Sequence, residues 1–433
     1  MQRRHYVLLL LAIAHALQYF DRQIVVVLIE PIKQEFGLSD LQIGLLTGFA
    51  FTVVYSIALV PVGVLVDRFN RRNILAAGLT IWSALTVATG FVTNFPQLLA
   101  TRAVIAGAEA VSNPSGLSIL SDIFRKEGRL TAIGAYFAGP SLSIVIGFTT
   151  IGYVAQAWGW RTAFFFAGAP GLILAVLIML TVKEPVREDS AVTQVVKAKV
   201  RDTFAFIGSQ KSMLALICGM GLTGAATSGQ IAWLTPFMMR AFDFKIANAA
   251  MTIGLGYGII NAVGQIAGGA IVDRLRVRNM LGASWSTSIF AVWTGVGMLA
   301  AALAPSPTIA IALLVFWALP AGLQYGPSVG TIQGLAPPRM RGLTTSCMSI
   351  VLYLVGAGSG PLIVGAISDA FSSAGPGQSL RIGLGLLALL QVAAGGFFLL
   401  SALWLRADTA RSERAAKGET DDQLGDTPAA VTG

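Results

Sequence analysis

Twelve apolar stretches, each long enough to cross a bilayer, set what this chain can become. They fall at about 6–30, 40–66, 73–93, 95–122, 130–156 and 160–182, then at about 212–239, 245–272, 279–304, 308–334, 341–369 and 380–405. A helix needs about 20 mostly apolar residues to span the hydrocarbon core. Within that core every backbone polar group must be satisfied inside the segment, which favours helices. The expected fold is an all-α membrane protein, twelve transmembrane helices in two bundles of six. Composition agrees: 55% of the 433 residues are hydrophobic and 12% are charged, against about 25% charged in an ordinary soluble domain.

The net charge of +9 does not point to nucleic acid, because Lys and Arg are scattered through short loops without a basic patch. Cys218 and Cys347 each sit inside an apolar segment, so no disulfide framework is expected, and two His make a metal site implausible. With the N-terminus inside, 23 of the 30 Lys and Arg fall on the inner side. Lys33, Arg161, Arg240, Lys245 and Arg381 fall outside, and Arg22 and Arg102 lie within spans. By the positive-inside rule both termini are cytoplasmic, in a multi-pass protein of the cell (inner) membrane. Arg3-Arg4 and Ala14-His15-Ala16 imitate a signal peptide. The apolar pattern resumes at once through Ile24–Ile29, however, so the segment is read as a retained first helix.

Residues 1–182 and 212–406 are read as the two bundles, 183–211 as a cytoplasmic linker, and 407–433 as a disordered tail. In the linker, Val192, Val196, Val200 and Phe204 recur every four residues, with Lys197, Lys199 and Arg201 off that stripe. This pattern fits a helix lying on the inner leaflet, with a flexible charged linker as the alternative. The halves also repeat. GVLVDRFNRRN (63–73) follows the second span and GGAIVDRLRVRN (268–279) follows the eighth, with Asp67-Arg68 and Asp273-Arg274 206 residues apart. Repeated bundles of this kind are what a two-lobed transporter requires.

The pattern Gly63-x-Leu65-x-Asp67-Arg68-x-x-Arg71-Arg72 resembles the signature loop of the major facilitator superfamily, and Gly269–Arg278 echoes it. Gly139-Pro140 in the fifth span and Arg102 in LLATRAVIAGAEA of the fourth resemble two further motifs of that superfamily. The resemblance covers about residues 6–406. Within the superfamily, QYFDRQIVVVLIEPIKQEFGLSDLQIGLLTGFAFTVVYS followed by DRFNRR is similar to the Spinster group of lipid transporters, as is GWRTAFFFAGAPGL. The resemblance implies a secondary transporter that moves a lysophospholipid or sphingoid lipid by alternating access. A proton-coupled symporter of a small organic anion, such as a sugar acid, is the alternative.

Asp67 ends the second span beside Arg68, Arg71 and Arg72, and Asp122 ends the fourth on the same side. Such charges can pair between helix ends and hold an inner gate shut; topogenic charge alone is the other reading. By the resemblance, Asp67 also meets the N-terminal end of the eleventh helix near Gly342, where the helix dipole is positive. Gly63, Asp67, Arg68, Arg71, Asp122, Asp273 and Arg274 are therefore the expected cytoplasmic gate.

Charges inside the spans carry the chemistry, since each costs roughly 2.5–3.5 kcal/mol in hydrocarbon. Helical spacing puts His15, Gln18 and Arg22 on one stripe with Asp21 adjoining, and Arg102, Glu109 and Asn113 on another. Asp21, Arg22, Arg102 and Glu109 form a formally neutral quartet. One reading is a static ion-pair network that fixes helices one and four. The other is a proton switch: protonating an acid, Glu109 being the expected carrier, frees an Arg to attract an anionic head group. The C-terminal half offers only uncharged polar groups at mid-depth, among them Thr227, Gln230, Asn261, Gln324, Tyr325 and Tyr353, as expected cavity lining. Trp233, Phe237, Met238, Phe316, Trp317 and Met348 are candidates for an apolar wall. A cavity charged on one side and apolar on the other suits an amphiphile. The glycine runs Gly254-x-Gly256-x-Gly258 and Gly356-x-Gly358-x-Gly360 lie within spans, where they permit close helix approach and bending. No phosphate loop, catalytic triad or H-E-x-x-H occurs, so neither an enzyme nor a cofactor is expected. The expected partners are the bilayer, an amphiphilic or anionic small molecule and protons, with the protein a monomer.

Overall fold

Helices make up all the regular structure in the computed structural model, which describes residues 3–124, 126–137, 139–185, 200–268, 280–337 and 340–417. The N-terminal half comprises α1 (Arg3–Val27), α2 (Ile29–Phe36), α3 (Asp40–Arg68), α4 (Arg71–Thr89), α5 (Phe95–Glu109), α6 (Ser112–Ile123), α7 (Lys126–Phe137), α8 (Gly139–Trp158) and α9 (Trp160–Thr181). The C-terminal half comprises α10 (Val200–Ser209), α11 (Lys211–Phe242), α12 (Ile246–Gly268), α13 (Met280–Ala302), α14 (Pro307–Leu323), α15 (Tyr325–Leu335), α16 (Leu343–Ala370) and α17 (Pro376–Lys417). Among the described residues, 10 helices are long and apolar enough to cross a membrane. The other two expected spans are α4, with 19 residues, and the α5–α6 pair.

Local chemistry fixes the helix starts and breaks. Ser39 and Gln42 form a reciprocal capping box at the start of α3. Asn70, Asn94 and Ser306 each accept a backbone N–H at the starts of α4, α5 and α14. Gly37 ends α2 at φ 62, a conformation that glycine adopts without steric penalty. Pro114 lacks the N–H that would bond the Ala110 carbonyl, and its ring crowds that carbonyl, so the fourth span breaks just after Glu109. Pro327 does the same one repeat later, separating α14 from α15 at Gln324. Paired interruptions at corresponding positions of two halves point to a binding site between them.

Three apolar clusters describe how the halves meet. One joins Ile24, Ile29, Phe148 and Trp160 to Trp233, Phe237, Ala250 and Trp317, so it draws on both halves. A second, from Val7 to Val182, belongs to the N-terminal half alone, and a third, from Phe206 to Leu405, to the C-terminal half alone. The halves are thus fused at the end carrying α2 and have separate cores at the end carrying Val66 and Leu405. Glycines line the fused part. A Cβ on Gly44 would lie 2.5 Å from the Pro361 carbonyl oxygen, and one on Gly48 would lie 2.5 Å from that of Gly358. On the other flank a Cβ on Gly152 would lie 2.6 Å from that of Ala250. The glycine runs expected to permit close approach include π-helical turns at Ile253–Ile259 and Val351–Ala357, and α3 has a third at Leu45–Phe49. Each lies where the halves touch, a common place for such turns in functional helices.

The other end carries the second gate loop, the linker and the tail. Asp273, Arg274 and the linker residues 186–199 lie outside the described residues. Of the proposed linker stripe, Phe204 is exposed, whereas Phe206 and Ile207 on the neighbouring face of α10 are buried. The tail does not begin as a disordered segment at 407, because α17 continues to Lys417. Asp408 explains the continuation: its carboxylate accepts the Ser212 N–H and hydroxyl, each at 2.6 Å, capping the start of α11.

Candidate functional site

Side chains at positions 21 and 22 of one helix point about 100° apart, so the adjacent Asp21 and Arg22 cannot serve as each other's principal partner. Each instead reaches α5. Arg22 Nε donates to Glu109 Oε2 at 2.8 Å, and Arg102 Nη1 donates to Asp21 Oδ2 at 2.9 Å. The other Asp21 oxygen accepts the Thr86 hydroxyl. The structure therefore brings the quartet together as two crossed ion pairs. The pairs differ in setting. The Arg102 and Asp21 side chains are 3% and 6% exposed, whereas Glu109 is fully buried and Arg22 is 21% exposed.

Arg22 is the group on which aromatic residues converge. Its guanidinium carbon lies 5.1 Å from the centroid of the Tyr19 ring, 4.9 Å from Phe51 and 4.7 Å from Tyr55. Tyr19 is hydrogen-bonded to Tyr353, which reaches across from the C-terminal half. Among the described residues, Arg22 Nη2 and Glu109 Oε1 have no hydrogen-bond partner. Such a guanidinium is held in place while keeping a donor in reserve. Tyr19, Phe51, Tyr55 and Thr86 contact the quartet and are not among the residues expected from the sequence. The spacing of Tyr19 three residues before Arg22, and of Phe51 and Tyr55 four apart on α3, was the available signal.

The remaining polar residues on α1 and α5–α6 extend this wall. Gln18 Nε2 donates to the Glu109 carbonyl oxygen at 3.2 Å. His15 stacks on Tyr136 with centroids 4.2 Å apart, and its Nδ1 lies 3.2 Å from the Tyr136 carbonyl oxygen. Asn113 accepts the Tyr136 hydroxyl at 3.1 Å.

The C-terminal residues behave differently. Gln230 donates to the Leu384 carbonyl, Asn261 donates to that of Ala318, and Gln324 accepts from Gln391. All three are buried and bond to their own half. Thr227 is half-buried, and the backbone of Tyr325 begins α15 at the break. Trp233, Phe237, Met238, Trp317 and Met348 are buried, and Phe316 is exposed beside Trp293. The five buried side chains are packing, so they supply no apolar wall. Trp233 spends its Nε1–H on the Pro361 carbonyl.

At the end with separate cores, Arg71 pairs with Asp122 and, at 2.8 Å, with Glu184. All three belong to the N-terminal half, so this network cannot by itself hold the halves together. Burial pushes the Glu184 carboxyl up, but hydrogen bonds from the Arg72 N–H, the Arg71 side chain and the Arg71 N–H outweigh it and hold it below the usual carboxylate range. Asp67 and Arg68 are exposed there, and a Cβ on Gly63 would meet nothing within 4 Å.

A described efflux pump of the superfamily type from Mycolicibacterium smegmatis is 31% identical over 401 residues, covering 92% of each chain. A sphingosine-1-phosphate transporter of mouse is 25% identical, covering 94% of this chain and 78% of its own. The solved structure of a bacterial homologue of the human lysosomal transporter Spinster, inward-facing and unoccupied, superposes with a TM-score of 0.85 at 26% identity, covering 94% of this chain and 98% of that one. Residues 11–361 match the Major Facilitator Superfamily. With its helical fold and membrane-length segments, this multi-pass membrane protein belongs to the Major Facilitator Superfamily and is a secondary transporter that resembles Spinster.

Proposed function

We propose that the chain is a twelve-span, two-bundle transporter of the cell (inner) membrane, a monomer with both termini in the cytoplasm and its fused end facing outward. Its substrate is a lipid-like amphiphile, a lysophospholipid or sphingoid lipid, moved by alternating access and coupled to protons. The observation that carries this reading is the setting of Arg22: three aromatic faces, one buried carboxylate partner and one unpartnered nitrogen. While Glu109 is ionised, Arg22 is compensated. A proton on Glu109 removes that compensation and leaves a caged guanidinium, whose geometry suits a phosphate or carboxylate head group. Loss of the proton to the other side restores the pair and expels the head group.

Similarity to a sphingosine-1-phosphate transporter supports the amphiphile. The small-anion alternative gains from one observation, that the aromatic and Met residues expected to seat a tail are mostly core. Proteoliposomes given a pH gradient and a panel of lysophospholipids, sphingoid phosphates and sugar acids test the choice. Gradient-stimulated lysolipid flux is expected; flux of sugar acids alone would replace this reading with the alternative.

A further inference from the structure

The helix that carries Arg102 and Glu109 turns its back to the bilayer. Val104 and Gly107 each lie two residues from one of those charges, about 160° round the helix from it. α3 and α4 each pack along α5 and scarcely touch each other. Between them runs a groove of about 410 Å³, with Val54 and Ile81 as its walls and Ala103, Val104, Gly107 and Ala108 as its floor. Small residues on a membrane helix ordinarily admit a neighbouring backbone, as Gly44 and Gly48 do. Gly107 does not: a Cβ there would find its nearest neighbour, Val54 Cγ1, 3.9 Å away. Val104 and Ile81 are 54% and 48% exposed, so the groove opens outward.

We propose that this groove binds one acyl chain of a bilayer phospholipid, a resident ligand that supports α5 and is not transported. Depth selects the occupant. Val54 is the middle residue of α3 (Asp40–Arg68), and Ile81 lies next to the middle of α4 (Arg71–Thr89). Gly107 is two residues from the middle of the fourth span, which runs from Phe95 to Ile123. Each bilayer surface is then about 15 Å away, half of a core about 30 Å thick, so the far part of a tail reaches the groove and a head group does not. The lining side chains hold no polar atom, and an apolar recess of this kind stays dry. A second copy of the chain has too short a seat, because 410 Å³ is the volume of roughly one helical turn about 10 Å across. The body of α5 stands between the groove and the Arg22–Glu109 pair, which separates this tail from a molecule held at Arg22.

What the tail supplies is packing. Lipid is as apolar as the groove, so burial alone gives no drive. A filled groove keeps the dispersion contacts that an open one forfeits. Support matters at this place because α5 ends at Glu109, ahead of the break at Pro114, and no continuous helix holds its last turn in line. A chain lying along Ala103 to Ala108 braces that turn from behind.

Binding of such a tail needs a bilayer but no transported substrate, so absent lysolipid flux would count only against the function proposed above. In liposomes of phosphatidylethanolamine and phosphatidylglycerol, a phospholipid with a diazirine at the end of one tail is photolysed, and peptide mass spectrometry locates the adducts. Adducts at Ile81, Val104 and Gly107 should exceed several-fold those at Ile173 and Val296, which are at least as exposed and also lie within spans. A diazirine beside the head group should give no such excess. Gly107→Leu, whose Cβ has room, fills the groove and should bring labelling of Ile81 and Val104 down to the level of Ile173. Phospholipid added back to delipidated protein should raise the Tm of the parent more than that of Gly107→Leu. Equal labelling of the groove and the open surface overturns the site, as does an excess that survives Gly107→Leu. Loss of the excess on adding a lysophospholipid or a sphingoid phosphate gives the groove to the substrate's tail and overturns the resident lipid. Equal gains in Tm overturn the supporting role.

Discussion

Replacing Glu109 by Gln removes one charge from the quartet while preserving its shape. Two charges about 4 Å apart attract by about 4 kcal/mol at an effective dielectric near 20, and stranding one member of a buried pair destabilises by about 3–5 kcal/mol. Arg22 falls short of that limit, because it is 21% exposed and stacks against three rings. Each exposed cation–π contact contributes about 0.5–1 kcal/mol, and the Gln oxygen can still accept from Nε. The expected loss of stability is therefore about 1–2 kcal/mol. Asp21→Asn supplies the contrast. Its partner Arg102 is 3% exposed and Asp21 also holds Thr86, so the full loss of about 3–5 kcal/mol applies.

Melting followed by tryptophan fluorescence, beside flux in proteoliposomes with and without a pH gradient, reads both effects. Glu109→Gln should fold, carry substrate down its own gradient and ignore the pH gradient, whereas Asp21→Asn should chiefly lose folded protein. Unchanged gradient-driven flux in Glu109→Gln would refute the proton switch. A melting loss equal to that of Asp21→Asn would make the quartet a static brace.

Four further outcomes are expected. Arg22→Ala should weaken anionic substrates about ten-fold more than neutral ones, roughly the value of one charge-assisted contact, while Arg102→Ala should mainly lower stability; competition binding on both variants checks this. Asp67→Ala should raise the reactivity of cysteines introduced at the cytoplasmic end, by removing a helix-end partner of the closed gate, and unchanged labelling would remove that role. Gly44→Leu should hold the fused end open, since even its Cβ meets Pro361 backbone at 2.5 Å, and labelling at that end should rise accordingly. Glu184, whose carboxyl is held low, contributes stability above its unfolded value and loses it as pH falls through the folded one. The stability gap between the native protein and Glu184→Gln should therefore be widest near neutral pH and close below about pH 4, as melting across a pH series would show.

The quartet was legible because intramembrane charge is rare and helical spacing assigns faces. Its crossed pairing was not, since neighbours in sequence suggest a pair that helix geometry forbids. Gln230, Asn261 and Gln324 were rightly singled out as polar groups in apolar spans. A buried amide needs a partner, though, and sequence cannot say whether that partner is a substrate or the Leu384 carbonyl. The partners of Arg240 (Asp40 and Glu30) were hidden for a similar reason. Lys33 and Arg240 read as loop charges that helped set topology, and the Arg240 partners lie 200 and 210 residues away. The tail was misread because its polar composition outweighed one buried acid, Asp408, that ties it to α11.

Which ion pairs can drive the cycle follows from where their members sit. A contact present equally in two conformations shifts no population between them. The Arg71–Asp122–Glu184 network joins helix ends of one half, so it can travel with that half unchanged whether the cytoplasmic end is open or closed. It ties the start of α4, just after Asp67, to α6 and to Glu184 beyond α9. The Asp21–Arg102 pair is likewise internal to the N-terminal half. Arg22–Glu109 is internal too, although the nearby Tyr19–Tyr353 bond crosses to α16, and in the proposed cycle a proton or a bound head group would alter it. Arg240 and Asp369 hold partners in the opposite half, so opening must break them. Contacts that must change between conformations are therefore those that cross between the halves, and Asp40 at one end of α3 gathers those of Arg240, Ser368 and Asp369.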